Sequence, residues 1–121
     1  MDRVVTFLLT VRPEAAVAFY RDVLGLKFVR DDGFALMFDL NGVMLRIAKV
    51  KEHKPLPSTV LGWETRDIGA DVATLKAKGV RFEIYEGMGQ DAQGVCTFPG
   101  GDKVAWFKDP DGNVLSLSQH A

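Results

Sequence analysis

The sequence is poor in the residues that characterise secreted and membrane-spanning proteins. Its 121 residues include a single cysteine, Cys96, and two histidines. An intrachain disulfide is therefore impossible, and a reducing compartment is favoured. No apolar run approaches the roughly 18 residues that span a bilayer. The opening segment, MDRVVTFLLTV, is too short and too acidic at its start for a signal peptide. We therefore expect a cytoplasmic protein.

The sequence also lacks an excess of charge of either sign. Lysine and arginine total 15 and aspartate and glutamate total 16, which gives a formal net charge of −1. This balance gives no reason to expect nucleic acid or a membrane as a partner. Hydrophobic residues make up 47% of the chain, as in ordinary globular proteins. At this length we expect one domain with a substantial core.

The first 50 residues predict the order β-α-β-β-β. Apolar alternation over Val4–Val11 is typical of a strand. Apolar residues then recur at helical spacing from Pro13 until Gly25. Two short strands follow, and Asn41-Gly42 is the strongest hairpin signal in the chain. It leads into a last strand over Val43–Val50.

The same order returns after a linker at residues 51–58, which contains two prolines. A strand is predicted over Thr59–Thr65, followed by a helix that Asp67 caps and Gly79 ends. Val80–Tyr85 is predicted as another strand, and residues 86–93 as a mobile polar loop. The remaining strands are predicted at Gly94–Phe98, Lys103–Lys108 and Asn113–Ser118.

The two halves are also similar in sequence. LGLKF at 24–28 matches KGVRF at 78–82, and NGVMLRI at 41–47 matches DGNVLSL at 111–117. This repeat predicts two copies of one βαβββ unit related by a pseudo-twofold axis. Arg46 and Ser116 then occupy equivalent positions.

FYRDVLGLKF (19–28) followed by WFKDPDGNVLSL (106–117) resembles the vicinal oxygen chelate superfamily, which includes glyoxalase I, bleomycin resistance proteins and extradiol dioxygenases. The resemblance covers the whole chain. It implies an α+β domain in which two βαβββ modules, residues 1–50 and 59–121, form a U-shaped mixed sheet around a cavity, with the helices on the outer face. It also implies a homodimer. It does not choose an activity, because the superfamily contains lyases, isomerases, dioxygenases, epimerases and binding proteins.

In metal-dependent members of that superfamily, the first and last strands of each module contribute histidine, glutamine or glutamate ligands. The matching positions in this chain are Thr6 or Val5, Arg46, a residue between Val60 and Gly62, and Ser116. None of these is His, Asp or Glu, and an arginine there would repel a divalent cation. We therefore expect neither a metal nor another cofactor.

The leading hypothesis is a metal-free protein that binds a small anionic or aromatic molecule. Arg46 would hold a carboxylate or phosphate through two parallel hydrogen bonds. The alternatives for Arg46 are a salt bridge, with Glu64 as the expected partner, or exposure to solvent without a ligand. The remaining candidates would supply apolar walls or hydroxyl groups, with Leu8 and Met44 sharing the cavity face; the set is Thr6, Leu8, Met44, Trp63, Trp106 and Ser116.

Two other hypotheses remain open. One is an enzyme of the superfamily, a lyase, isomerase or dioxygenase, that uses no metal or takes shifted ligands from Glu64, Glu83 and His53, which do not form a convincing set. The other is an interaction module without a small ligand. Cys96 is expected to be a buried strand residue rather than a nucleophile.

Overall fold

The computed structural model describes all 121 residues, which form two compact units, Met1–Pro55 and Leu56–Ala121. The division falls within the segment predicted as a linker. Each unit contains a helix and one four-stranded sheet in which parallel and antiparallel neighbours are mixed. The α+β class and the two βαβββ modules are therefore confirmed. Neither helix has the length and apolar character needed to cross a bilayer.

In the first unit the sheet has the order β1-β4-β3-β2, with β1 and β4 parallel and the other pairs antiparallel. Helix α1 continues as a π-helical segment, Ala18–Val23, before β2 begins. The predicted hairpin turn is present, because Asn41 and Gly42 both have positive φ, 52° and 96°. The elements are β1 (Val5–Thr10), α1 (Pro13–Val17), β2 (Lys27–Asp31), β3 (Ala35–Leu40) and β4 (Val43–Lys49).

In the second unit the sheet has the corresponding order β5-β8-β7-β6, with β5 and β8 parallel. Asp67 caps α2 as predicted, since its Oδ1 accepts a hydrogen bond from the Ala70 N–H at 3.1 Å. The elements are β5 (Thr59–Glu64), α2 (Ile68–Ala77), β6 (Cys96–Thr97), β7 (Lys103–Lys108) and β8 (Val114–Gln119).

The strand predicted at Val80–Tyr85 is absent, and this prediction was wrong. The segment makes one bridge to β7, between Phe82 and Phe107, and one bond from the Glu83 N–H to the Trp106 carbonyl at 2.8 Å. Two separate segments share the outer edge of β7, with Phe82 and Glu83 at one end and the short β6 at the other. The intervening loop interrupts what would otherwise be one long edge strand.

On their core faces, the last strands of the two units are similar in burial as well as in sequence. Leu45 and Ile47 on β4 are fully buried, and Leu115 and Leu117 on β8 are 0% and 6% exposed. Because strand side chains alternate between faces, Arg46 and Ser116 lie on the opposite face of their respective sheets. The two core faces also carry aromatic clusters, formed by Tyr20, Phe28 and Phe38 in the first unit and by Phe82 and Phe107 in the second.

Candidate functional site

The second unit contains a pocket of about 220 Å³. Its aromatic wall is formed by Trp106 and Tyr85, whose rings meet edge to face with centroids 5.5 Å apart and an interplanar angle of 77°. The hydroxyl-bearing residues Ser58 and Thr59 also contribute to the lining. The remaining residues that line it are Pro57, Met88 and Val114. A mostly apolar wall with a few hydroxyl groups is typical of a small-molecule site.

The strand register places these residues on one face of the sheet. Val114 on β8 lies opposite Thr59 on one side and Lys108 on the other. Trp106 lies two residues from Lys108 along β7 and therefore points to the same face. The opposite face is the core, where Leu115 and Phe107 are fully buried. The pocket thus lies on the face of the sheet opposite to Leu115 and Phe107.

Ser116 and Trp106, both predicted as site residues, are direct neighbours across β8 and β7. Gly62 on β5 lies on the other side of Ser116. A Cβ atom added to Gly62 would approach the Ser116 Oγ to 2.7 Å and its carbonyl oxygen to 3.2 Å. Glycine is therefore the residue that leaves room for the Ser116 side chain in this row.

The loop that carries Tyr85 and Met88 is closed by hydrogen bonds, although the sequence suggested a mobile segment. The Gln90 Nε2 donates to the carbonyl oxygens of Glu83 and Gly94, both at 2.8 Å. The Gln90 Oε1 accepts from the Tyr85 N–H at 2.7 Å. Cys96 is buried in β6, as predicted, and its thiol donates to the Met88 carbonyl at 3.1 Å. These contacts give the two loop-borne pocket residues a defined backbone position.

A charged pair lies on the same face as the aromatic wall. The Lys108 Nζ is 3.3 Å from the Glu83 Oε1, and their side chains are 48% and 25% exposed. Lys108 is two residues from Trp106 along β7 and shares its face. Glu83 follows Phe82, which bridges Phe107, and its N–H bonds the Trp106 carbonyl. An exposed pair of this kind contributes little to stability, but it places a positive group directly across from Val114, which lines the pocket.

Arg46, the predicted anchor, lies in the first unit and is already paired. Its Nη2 is 3.0 Å from the Asp32 Oδ2, so the partner is Asp32 and the expected pairing with Glu64 was wrong. The backbone N–H groups of Phe34 and Ala35 donate to the Asp32 Oδ1, and together with Arg46 they lower the pKa of Asp32 to about 2. Asp32 sits in the turn between β2 and β3, and neither spacing nor pattern pointed to it.

The residues around Arg46 differ from those expected. Its neighbours across the sheet are Phe7 on β1 and Met37 on β3, and Met44 shares their face. Leu8 lies on the other face, opposite Ile47, and is only 4% exposed. Leu8 and Met44 therefore do not share a face, contrary to expectation, because the apolar alternation of β1 was assigned to the wrong side.

The other sequence candidates divide in the same way. Thr6 lies opposite Leu45, on the core face of the first sheet, whereas Val5 lies on the face of Arg46. Trp63 lies opposite Leu117, on the core face of the second sheet and away from Trp106. Of the predicted residues, the structure thus brings together Trp106 with Ser116 and, separately, Arg46 with Met44. Tyr85 and Met88 were missed because a loop carries them.

The side chains at the implied metal-ligand positions do not fit a divalent cation. Arg46 is itself a cation, and Ser116 offers one neutral hydroxyl beside an indole. No three His, Cys, Asp or Glu side chains lie together in a way that would hold a metal ion. Among the shifted candidates, Glu83 pairs with Lys108.

Known proteins resemble this chain over its full length. A family model described as the Glyoxalase/Bleomycin resistance protein/Dioxygenase superfamily matches residues 2–117. Lactoylglutathione lyase from Agrobacterium tumefaciens is similar in structure with a TM-score of 0.74 at 20% identity, covering 98% of this chain and 92% of that one. A superfamily member from Sphaerobacter thermophilus has a TM-score of 0.75 at 21% sequence identity, and the match covers 99% of this chain and 98% of that one.

TioX from Micromonospora sp. ML1 gives a TM-score of 0.73 at 16% identity, with 100% of both chains covered. At these identities the structural likeness shows the fold alone. No curated protein is similar enough in sequence to count as a match.

Proposed function

Because the chain belongs to the glyoxalase/bleomycin resistance protein/dioxygenase superfamily, whose members share a fold but not an activity, its function has to be argued from its own side chains. We propose that it is a small-molecule binding protein without a resident metal, and that the second unit holds the ligand between Trp106, Tyr85 and Met88. The observation that carries this proposal is the apolar pocket with an aromatic wall, on the face of the sheet opposite to Leu115 and Phe107.

The pocket volume limits the size of the ligand. At about 220 Å³ it exceeds the roughly 150 Å³ of an apolar cavity that takes up benzene. It is smaller than the roughly 300–1,000 Å³ of sites that hold drug-sized molecules. A ligand of one or two rings fits these limits, either as a whole molecule or as the part of a larger one that enters the pocket.

The lining favours a flat aromatic ligand. An aromatic guest can meet Trp106 and Tyr85 by stacking or by edge contact, which adds to the free energy of burial. Met88 is flexible and polarisable, so it can adapt to the outline of a ring. The hydroxyl groups of Ser58 and Thr59 offer hydrogen bonds that would fix the orientation of a ring substituent.

The proposal that no metal is used rests on the donor set. A chelating centre needs several nitrogen or carboxylate ligands around one point, whereas the implied positions hold an arginine already paired with Asp32 and a serine packed beside Gly62. The enzymatic alternative, a lyase, isomerase or dioxygenase, would use no metal or would need metal ligands from other positions. Stoichiometric Ni, Zn, Mn or Fe in purified protein, measured by elemental analysis, would overturn the metal-free proposal.

Arg46 remains a proposed anchor for an anionic ligand, and its geometry sets a condition. A carboxylate would have to displace Asp32, which is held on the guanidinium at 3.0 Å. Arg46→Ala should then weaken binding of acids in a thermal-shift panel of carboxylates while leaving neutral aromatic compounds unaffected. An equal response of wild type and variant to every acid would remove Arg46 as an anchor.

The pocket itself is tested with 2-naphthol, a neutral two-ring probe. Trp106→Ala should reduce the affinity for 2-naphthol about tenfold or more. The substitution removes buried apolar area and an aromatic pair contact, which is worth about 1 kcal/mol beyond that area. Trp63→Phe is the matched control, since Trp63 lies on the core face of the same sheet. Equal affinities for wild type and Trp106→Ala in isothermal titration would contradict the proposal.

A further inference from the structure

Gln90 makes three hydrogen bonds to main-chain groups that are distant from it along the loop. Its Nε2 donates to the carbonyl oxygens of Glu83 and Gly94, and its Oε1 accepts from the Tyr85 N–H, all between 2.7 and 2.8 Å. A primary amide has two N–H donors and one carbonyl acceptor. Both N–H donors and the carbonyl acceptor of the Gln90 amide are therefore bonded to backbone groups. The Gln90 side chain is half-buried.

This side chain fills a gap in the sheet edge. In the first unit β2 pairs with β3 from Lys27 to Asp31, with one bulge. In the second unit the corresponding edge is split, with Phe82 at one end of β7 and β6 at the other. Near this break the Gln90 amide bonds three main-chain groups, the carbonyl oxygens of Glu83 and Gly94 and the Tyr85 N–H.

The gap is next to the pocket. The Tyr85 N–H is bound to Gln90, and the Tyr85 ring meets Trp106. The Tyr85 carbonyl accepts from the Met88 N–H at 3.3 Å. The backbone position of Tyr85 thus depends on Gln90 directly, and that of Met88 depends on Gln90 through Tyr85 and on the Cys96 thiol.

We propose that Gln90 is a positioning residue, which sets the placement of Tyr85 and Met88 against Trp106 and thereby the shape of the pocket. Its consequence for ligand affinity rests on the proposed function, whereas its consequence for the Tyr85–Trp106 contact does not. A residue that only stabilised the loop would change the melting temperature and leave the pocket unaltered in the folded protein.

The test compares Gln90→Ala and Gln90→Glu with Gln93→Ala. Gln93 lies in the same loop, but its side chain makes one long bond, 3.4 Å, to the Gly69 carbonyl, so it controls for a general effect of trimming the loop. Protein labelled with 5-fluorotryptophan gives a ¹⁹F resonance for each of its two tryptophans, and a Trp63→Phe sample assigns the one from Trp106. All spectra are taken well below the melting temperature.

Gln90→Ala should shift the Trp106 resonance and weaken 2-naphthol binding about tenfold, equivalent to about 1.4 kcal/mol. Gln90→Glu should shift the Trp106 resonance and weaken binding at least as strongly at neutral pH, because its carboxylate would face the carbonyl oxygens of Glu83 and Gly94. Lowering the pH should partly restore its Trp106 resonance, since a protonated carboxyl regains one donor. Gln93→Ala should leave both readouts unchanged.

A lower melting temperature for Gln90→Ala with an unchanged Trp106 resonance and unchanged affinity would overturn the proposal. So would a Gln93→Ala variant that behaves like Gln90→Ala. If wild type fails to bind 2-naphthol while Gln90→Ala still shifts Trp106, the proposed function fails and the positioning role stands. If Gln90→Ala does not fold, the pH-dependent recovery of Gln90→Glu decides: recovery supports the role and its absence contradicts it.

Discussion

In both units the last strand alternates between aliphatic residues buried in the core and residues on the other face. The buried residues are nearly the same, Leu45 and Ile47 on β4 against Leu115 and Leu117 on β8. The residues between them are not, since Arg46 stands where the second unit has Ser116. Burial restricts the core side to apolar residues of suitable volume, whereas the opposite face is free to diverge in chemistry.

That divergence extends to the neighbouring strands. Arg46 lies beside Phe7 and Met37 and pairs with Asp32. Ser116 lies beside Gly62 and Trp106, and Trp106 leads to the pocket. One unit therefore presents an ion pair on this face and the other an aromatic pocket, although the strand order is the same.

The largest effect is expected from removing a buried side chain from the core, which both units share. Phe38→Ala in the first unit and Phe107→Ala in the second each remove a fully buried ring. Each should lower the free energy of unfolding by about 3–5 kcal/mol, measured by urea denaturation followed by circular dichroism. A loss below about 1 kcal/mol for either variant would mean that its core is not packed as described.

A smaller effect is expected where the second unit alone has a close contact. Gly62→Ala should destabilise the protein by about 1–3 kcal/mol, because the new Cβ collides with Ser116. Gly100→Ala is the control, since a Cβ there meets nothing within 4 Å. Adding Ser116→Ala should recover part of the loss by removing the Oγ. Strict additivity of the two substitutions would contradict the contact.

The ion pair of the first unit should appear as acid sensitivity. Interactions with Phe34, Ala35 and Arg46 hold the pKa of Asp32 at about 2, below its usual value of about 3.9. Because the folded-state pKa is depressed, this carboxylate stabilises the protein above pH 4, and the contribution is lost as pH falls from about 4 through 2. Asp32→Asn should therefore melt below wild type at pH 6, and the difference should shrink towards pH 2. A difference that does not change with pH would contradict this assignment.

The smallest effect is expected from the ion pair between Lys108 and Glu83. Glu83→Gln removes the partner of Lys108 and frees a cation on the aromatic face. Affinity for 2-naphthoate should rise by about twofold to fivefold relative to 2-naphthol, as expected for an exposed charge interaction of up to about 1 kcal/mol. Isothermal titration calorimetry measures the affinity for both ligands. An equal change in affinity for the two would show that the charge of Lys108 does not act on the ligand.

The sequence predicted those parts of the structure that depend on local chemistry. Asn41-Gly42 forms the hairpin turn and Asp67 caps α2. Each of these signals requires only neighbouring residues, which is why pattern alone was sufficient.

The candidate site depended on contacts that pattern does not carry. Alternation on β1 gives two sets of residues but does not say which faces the core, since Val5, Phe7 and Leu9 are as apolar as Leu8. The Arg46–Asp32 pair joins a strand to a turn 14 residues away. Tyr85 reaches the pocket because the Gln90 side chain replaces strand pairing, an arrangement with no sequence signature.

The central claim is that the pocket of the second unit holds a small neutral aromatic ligand without a metal. Three of the four methionines report on the two units, because Met88 lines the pocket of the second and Met37 and Met44 lie on the face of Arg46 in the first. In methyl-labelled protein titrated with 2-naphthol in the presence of EDTA, the Met88 resonance should move with saturation while Met37 and Met44 stay in place. Movement of Met37 and Met44 with Met88 unchanged, or a response that requires added metal, would contradict the account.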